Sequence, residues 1–234
     1  MTPIISIVIN CYRAQVALNE QLASWRLYAP EVLERVEFVI VDDGSDPAIQ
    51  VDRSSLPPAM RLVLARIDQD IPWNMPGARN LGALLARGEF LLLYDIDHFL
   101  SESALRVLLA NAPSLSRTTN YKFSRTLKGE TINSPVNCFL CSRDGFWQAG
   151  GYDEDFAGHY GHEDSYFLMA WQRHVGAMVL LTDIAFEVHT QYATAGLSRD
   201  TSRNSALFRQ KVEAGHQMSR TRLRFPWAIV PAVQ

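Results

Sequence analysis

The chain reads as a single α/β domain with a mostly parallel central sheet flanked by helices, and three observations predict it. Apolar runs of strand length recur at Ile4–Asn10, Val36–Val41 and Glu89–Tyr94 without regular polar alternation, the mark of strands covered on both faces. Segments with helical periodicity lie between them. Polar and acidic residues then gather just beyond each of these runs.

Taken in order, Ile4–Asn10 is a β-branched first strand, and Ala14–Tyr28 follows with Val16, Leu18, Leu22 and Trp25 on one helical face. Val36–Val41 runs into Asp42-Asp43-Gly44-Ser45-Asp46-Pro47, which is dense turn chemistry. Met60–Ile67 is a third strand. Pro76 opens a helix whose face is Ala78, Leu81, Leu84 and Leu85, stopped by Gly88. Glu89–Tyr94 is the fourth strand, and a helical pattern begins at Ser101-Glu102-Ser103. The second half is more polar. Thr118–Leu127 reads as a loop or edge strand, Val136–Ser142 as a strand, and Asp144–Ala149 as a short helix. Glu163–Arg173 is a helix, Ala177–Thr182 and Ile184–His189 are strands, and Ser202–Ser219 is a helix. No linker or internal repeat divides the chain. Residues 1–234 are therefore read as one domain: a ligand-binding half to about 110, a second half from about 111 to 198, and a basic extension over 199–234.

Composition narrows the function. At 234 residues, 47% apolar and 20% charged, this is an ordinary globular chain, and a net charge of −3 gives no pull toward nucleic acid. No apolar run approaches the roughly 18–20 residues of a membrane span. The Met1-Thr2-Pro3 start lacks the layout of a signal peptide, and three sparse cysteines fit a reducing cytoplasm. Cys138-Phe139-Leu140-Cys141 has redox spacing but lies within a strand, so it reads as core.

In an open parallel sheet, ligands bind beyond the carboxyl ends of the strands. Three polar clusters collect there: Asn10-Cys11-Tyr12-Arg13, Asp42-Asp43 and Asp95-Ile96-Asp97. Two carboxylates ending a buried strand are costly unless paired. A divalent Mn²⁺ or Mg²⁺ carrying a phosphate ligand resolves that cost, because these hard ions take one or two carboxylates and complete their shell from substrate. With neither a Gly-x-Gly-x-x-Gly after the first strand nor a Walker lysine, the sequence argues against dinucleotide oxidoreductases and P-loop enzymes.

From residue 4 to about 190 the chain resembles the family 2 glycosyltransferases, nucleotide-sugar enzymes of the GT-A (Rossmann-like) fold. The resemblance rests on Ser6–Tyr12, Phe38–Ser45, Gly77-Ala78-Arg79-Asn80-Leu81-Gly82, and Gly88-Glu89-Phe90 running into Asp95-Ile96-Asp97. Gly150-Gly151-Tyr152-Asp153-Glu154 and Gly161-His162-Glu163-Asp164 resemble the acceptor-side motif of β-galactosyltransferases and chondroitin-polymerase-like enzymes. The resemblance implies an inverting, metal-dependent hexosyltransferase using a UDP-sugar and a saccharide or lipid-linked saccharide (glycolipid) acceptor, as in polysaccharide biosynthesis. Asn10, Tyr12, Asp43, Arg79 and Asp95 would bind the nucleotide-sugar, with Arg79 at its phosphates or sugar. Asp97 and His189 would hold the metal. Asp164 would be the catalytic base, with Glu163 and Tyr160 on the acceptor. A catalytically silent sugar-nucleotide-binding protein and a nucleotidyltransferase are the alternatives.

The chain also departs from the pattern. Asn10-Cys11-Tyr12-Arg13 stands where many members have Pro-x-Tyr/Phe-Asn. Tyr160 replaces the usual Trp, and His162 a small residue. From Arg199 to Arg224, seven Lys/Arg face two acids, and Phe225–Val230 is apolar. That segment is expected either to decorate the surface or to touch the diphosphate or an anionic lipid surface, placing the protein in the cytoplasm, peripheral to the inner membrane.

Overall fold

The computed structural model describes residues 2–189, 196–219 and 221–231. In chain order the elements are β1 (Ile5–Cys11), α1 (Gln15–Trp25), α2 (Pro30–Leu33), β2 (Val36–Asp42), β3 (Leu62–Ile67), α3 (Met75–Leu85), β4 (Phe90–Leu93), β5 (His98–Phe99) and α4 (Glu102–Asn111). They continue with β6 (Asn120–Leu127), β7 (Glu130–Ile132), β8 (Phe139–Ser142), α5 (Arg143–Gln148), α6 (Glu163–His174), β9 (Met178–Val188), α7 (Ser202–Glu213) and β10 (Trp227–Ile229).

All the strands join one sheet in the order β10-β3-β2-β1-β4-β8-β6-β9-β5, with β7 hairpinned onto β6. The continuous apolar runs become the parallel block β3-β2-β1-β4, as their two-faced burial requires. Alternate residues of β1 feed opposite cores. Ile5, Ile7 and Ile9 pack with Leu18, Leu22 and Trp25 of α1 and with Leu105, Leu108 and Leu109 of α4. Val8 faces the other layer, where Leu91, Leu93, Phe139, Phe146, Phe167 and Trp171 meet. Each such side chain, fully buried, contributes about 1.5–3 kcal/mol relative to exposure.

The second half is mixed. β8 runs antiparallel to both β4 and β6, and β9 returns parallel to β6. The largely parallel sheet of the sequence reading therefore holds for the first half, within a mixed sheet. β6 is also interior, between β8 and β9, where an edge strand or loop was one expectation. Lys122 is accommodated locally: it lies over the Phe139 ring and donates to the Val136 carbonyl at 2.7 Å. The two expected late strands are one, β9, whose pairing with β6 shifts register at Phe123/Ser124.

The tail docks on the domain. β10 pairs antiparallel with the outer edge of β3, Trp227 opposite Ile67, and Phe225 packs among Val41, Ala65 and Leu81. Two of the tail's cations face the Asp153-Glu154-Asp155 turn: Lys211 lies 2.8 Å from both Asp153 and Asp155, and Arg224 3.1 Å from Asp155. Internal pairing thus accounts for two of the seven cations, while Arg199 lies over the Tyr160 ring at 5.7 Å. No helix among the described residues is long and apolar enough to cross a membrane.

Register positions the site. Cys11 lies opposite Asp42, and Val8 opposite Leu93, so the segments after β1, β2 and β4 emerge at one edge. The α3 helix lies so close beneath them that a Cβ on Gly82 would overlap Val8 Cγ1. Overpacking of this kind costs about 1–3 kcal/mol. Gly82→Ala is therefore expected to lower unfolding free energy by about that amount in urea denaturation, with Val8→Ala in the same chain restoring part of it. Additive losses in the double variant would contradict this contact.

Candidate active site

A cleft of about 590 Å³ opens at the carboxyl edge of the parallel strands. It is lined by Asn10, Tyr12, Asp43, Asp95 and Asp97 from the first half and by Tyr160, Glu163 and Asp164 from the second. Those are the residues singled out in the sequence, with two exceptions, Arg79 and His189.

The two aspartates after β2 divide their work. Asp42 builds the loop: its carboxylate accepts the backbone N–H groups of Ser45 at 2.9 Å and Ile49 at 3.1 Å and is ion-paired with Arg66. Gly44, at φ +74°, makes the turn, and its missing Cβ lets the Gln69–Asp70 backbone pass against it. Asp43 is thereby turned into the cleft, where its Oδ1 accepts from Asn74 Nδ2 at 3.0 Å. Burial pushes its pKa up to about 8 against the Asn74 hydrogen bond, with the charges of Asp42 and Asp70 adding to the rise. Nearby, Tyr12 donates its hydroxyl to Asp70 at 2.8 Å.

At the end of β4, Asp95 and Asp97 are also held differently. Asp97 is 38% exposed, and its Oδ1 lies 2.7 Å from His98 Nδ1. Asp95 accepts from Arg79 Nη2 at 2.8 Å and from the Asn137 amide. Desolvation raises the Asp95 pKa and Arg79 opposes it.

The sequence reading put Arg79 at the donor's phosphates or sugar; in the structure it lies behind the cleft lining, against Asp95. Its side chain is 1% exposed, and its guanidinium is engaged by protein acceptors: Asp164 Oδ1 at 2.8 Å, the Tyr152 hydroxyl at 2.5 Å, Asp95 Oδ1 at 2.8 Å and the Asn137 carbonyl at 3.0 Å. Burial works against its charge, yet Tyr152, Asp164 and Asp95 together hold its pKa above the ordinary value. Asn80, the next residue, clasps the Gly150–Glu154 turn, donating to Tyr152 O and Glu154 Oε1 at 2.9 Å each and accepting the Tyr152 N–H at 2.8 Å.

Glu163 and Asp164 open α6 after His162, which adopts a left-handed φ of 75°. Both carboxylates sit where the helix macrodipole favours negative charge. Asp164 Oδ1 takes the Arg79 bond and a second from the Tyr152 hydroxyl at 2.7 Å. Glu163 Oε2 is buried without a hydrogen-bond partner, and burial, then the charge of Asp164, pushes its pKa up to about 7. Tyr160 meets Trp73 at 4.6 Å between ring centroids, and both rings line the cleft.

His189 reaches the site through its backbone, whose N–H donates to the Asp97 carbonyl at 2.9 Å. Its imidazole stacks on Phe99 at 4.0 Å, with ring nitrogens 3.8 Å from Glu20 and 3.6 Å from Glu187. No three His, Cys, Asp or Glu side chains among the described residues form a self-sufficient metal cage. The donors present still fit a hard divalent ion that completes its shell from a substrate. Asp97 offers a half-exposed carboxylate oriented by His98, and Asn10 Oδ1 is a buried oxygen with no partner in the same cleft.

Trp73, Asn74, Asn137 and Tyr152 were not assigned from the sequence. Tyr152 lies inside the quoted glycine turn, so its signal was present. The other three sit in segments without periodicity and are recruited by tertiary contact.

The glycosyl transferase family 2 model matches residues 6–150, more than half of the chain. A curated protein of Haemophilus influenzae described as an uncharacterized glycosyltransferase is 28% identical over 137 residues, covering 56% of this chain and 51% of its own length. The chain thus spans about half the length of that relative. Among solved structures, S. aureus TarS 1–349 in complex with UDP-GlcNAc superposes with a TM-score of 0.70 at 14% identity, covering 93% of this chain and 68% of that one. The mannosyltransferase PcManGT from Pyrobaculum calidifontis in complex with GDP-Man and Mn²⁺ gives 0.64 at 14% identity, covering 94% and 66%. At these identities the structures speak for the fold. The chain belongs to glycosyl transferase family 2, on the GT-A fold.

The buried acids make stability depend on pH. Asp43 titrates near 8 in the folded chain against an ordinary value of 3.8, so the folded state holds more protons between those values. Stability therefore falls as pH rises through that window, by at most about 1.4 kcal/mol per unit from this group, and Glu163 adds the same sign. Asp43→Asn is expected to flatten the profile measured by chemical denaturation between pH 5 and pH 8. A variant as steep as wild type would show that Asp43 is ionised throughout.

Proposed function

We propose that this family 2 member moves a sugar from a UDP-sugar to a hydroxyl of a saccharide or lipid-linked saccharide, with inversion and with Mn²⁺ or Mg²⁺ as cofactor. One observation carries the reading: a single cleft is lined by the strand-end pair Asp95 and Asp97 and, from the opposite half of the chain, by Asp164. The structurally similar proteins solved with UDP-GlcNAc, and with GDP-Man and Mn²⁺, support a nucleotide-sugar and a divalent ion for this cleft.

Asp97 would hold the ion. Such an ion acts as a Lewis acid that neutralises the leaving diphosphate. Asn10 and Tyr12 line the nucleotide end, with Asp43 facing the base. Asn74 occupies Asp43 Oδ1, leaving one carboxylate oxygen for a base N–H. Uracil presents a single such donor between two acceptors, whereas guanine presents two adjacent donors, so the arrangement favours uracil. Asp95, closed by Arg79 and Asn137, forms the wall beside the ribose and sugar.

On the acceptor side, Tyr160 and Trp73 offer ring surface to a sugar face, and Glu163 Oε2 meets an acceptor hydroxyl. Both donors to Asp164 land on Oδ1, so Oδ2 has capacity to take the acceptor's proton as that oxygen attacks.

Positioned bases contribute about 10²–10⁴-fold to rate. Asp164→Asn is accordingly expected to lower turnover of a UDP-sugar by that order while titration calorimetry of UDP with MnCl₂ stays at wild-type affinity. Asp97→Ala should instead lose the Mn²⁺ dependence of UDP binding. Undiminished manganese-dependent binding in Asp97→Ala would remove the ion from this carboxylate.

A further inference from the structure

A buried guanidinium needs counter-charge, because taking it out of water costs several kcal/mol. Arg79 finds that charge in two places. Asp95 is 16 residues ahead, at the end of β4, and Asp164 is 85 residues ahead, in the first turn of α6. The fork therefore ties a donor-side carboxylate to an acceptor-side one. Arg79 does not itself line the cleft, whereas both of its carboxylate partners do. Tyr152 closes the arrangement. Its hydroxyl lies 2.5 Å from Arg79 Nη1 and donates to Asp164 Oδ1 at 2.7 Å, and its ring lies flat on Phe167 at 4.7 Å with a 2° interplanar angle.

From this geometry we infer that Arg79 and Tyr152 are positioning residues for the transfer, acting through Asp164 rather than on the donor. The inference rests on the reading of Asp164 as the base. Two donors on Oδ1 fix the rotation of the carboxylate and direct Oδ2 to the acceptor hydroxyl. In the step itself, the hydroxyl proton passes to Asp164 Oδ2 while the acceptor oxygen bonds to the anomeric carbon. The bond from that carbon to the diphosphate breaks, and its electron pair leaves with the diphosphate. Asp164 becomes neutral, and Arg79 keeps its ion pair with Asp95, so the buried cation is never without counter-charge. A single-carboxylate partner would not provide this.

Tyr152→Phe tests the idea, since it removes one hydroxyl and keeps the stacked ring. Turnover is followed on a panel of radiolabelled UDP-sugars with MnCl₂, counting hydrolysis or transfer, and UDP with MnCl₂ is titrated by calorimetry. The expected result is a kcat about tenfold lower, the worth of one hydrogen bond to a charged group. The donor KM and the UDP Kd should stay at wild-type values, while the lost buried hydrogen bond lowers the unfolding temperature by about 2–4 °C. An unchanged kcat beside an inactive Asp164→Asn overturns the positioning role alone, as does a kcat loss matched by weaker UDP binding. An active Asp164→Asn overturns the base assignment, and so does a wild type that binds UDP but turns over none of the panel. Either outcome takes this inference with it. Arg79→Lys separates the two readings of the arginine. It keeps a charge that cannot span both carboxylates, so kcat should fall further than in Tyr152→Phe with UDP affinity retained. Loss of UDP affinity in Arg79→Lys alone would return Arg79 to the donor phosphates.

Discussion

The neutralisation of Arg79 is the constraint on which the rest of this structure depends. A cation sealed beneath the sheet edge is tolerated only with its partners in place, and breaking a buried pair on one side typically costs about 3–5 kcal/mol. Both partners are themselves cleft residues, so the second half of the chain cannot be misplaced without exposing this cost. Asn80, beside Arg79 on α3, fixes the Gly150–Glu154 turn through both ends of its amide. Glu154 then accepts the backbone N–H groups of Leu223 at 2.7 Å and Arg224 at 3.2 Å, which sets the approach of the tail to β10. One turn of α3 therefore organises the second half of the chain and, through it, the C-terminal extension.

The acidic motifs follow a common division. In each, one carboxylate is held by a protein cation and the other is presented to the cleft. Asp42 is paired with Arg66 while Asp43 faces inward; Asp95 is paired with Arg79 while Asp97 is half exposed; Asp164 is paired with Arg79 while Glu163 Oε2 has no partner. The paired member sets the position of its neighbour. The presented member keeps part of its lone-pair capacity, since Asn74 and His98 each engage one oxygen of Asp43 and Asp97, and Glu163 Oε2 has no partner. Doubling of acids in these motifs thus separates a carboxylate paired within the fold from a near neighbour open to the cleft, with Asp164 both paired and cleft-lining.

Much of this was legible in the sequence, and the parts that were not share a cause. The four parallel strands stand out because two-faced burial leaves an uninterrupted apolar run, and the acidic clusters because strand ends rarely carry unpaired charge without purpose. The partners of Arg79 were hidden for the opposite reason: its charge is visible in the sequence, but its counter-charges lie far along the chain and are brought to it only by the fold. Lys122 and Asn120 gave β6 a polar look suited to an edge, although β8 and β9 flank it; Lys122 is taken up by Val136 and Phe139, while both polar atoms of the Asn120 side chain are buried without a partner. His189 sits at the expected strand end, yet its ring meets Phe99 and Glu20, both distant in sequence, beside the local Glu187.

The cleft's charge follows from the same physics. Burial pushes Asp43 and Glu163 toward their protonated forms, with Asp42 and Asp70 adding to the effect on Asp43 and Asp164 on Glu163. Like charges crowded at a sheet edge would otherwise repel at short range in a medium of low polarity, where a few ångströms correspond to several kcal/mol. Protonating the two least paired acids relieves that repulsion without disturbing the ion pairs that hold the architecture. Either acid keeps an acceptor oxygen when protonated and gains an O–H donor, so protonation adds to its hydrogen-bonding capacity rather than removing it.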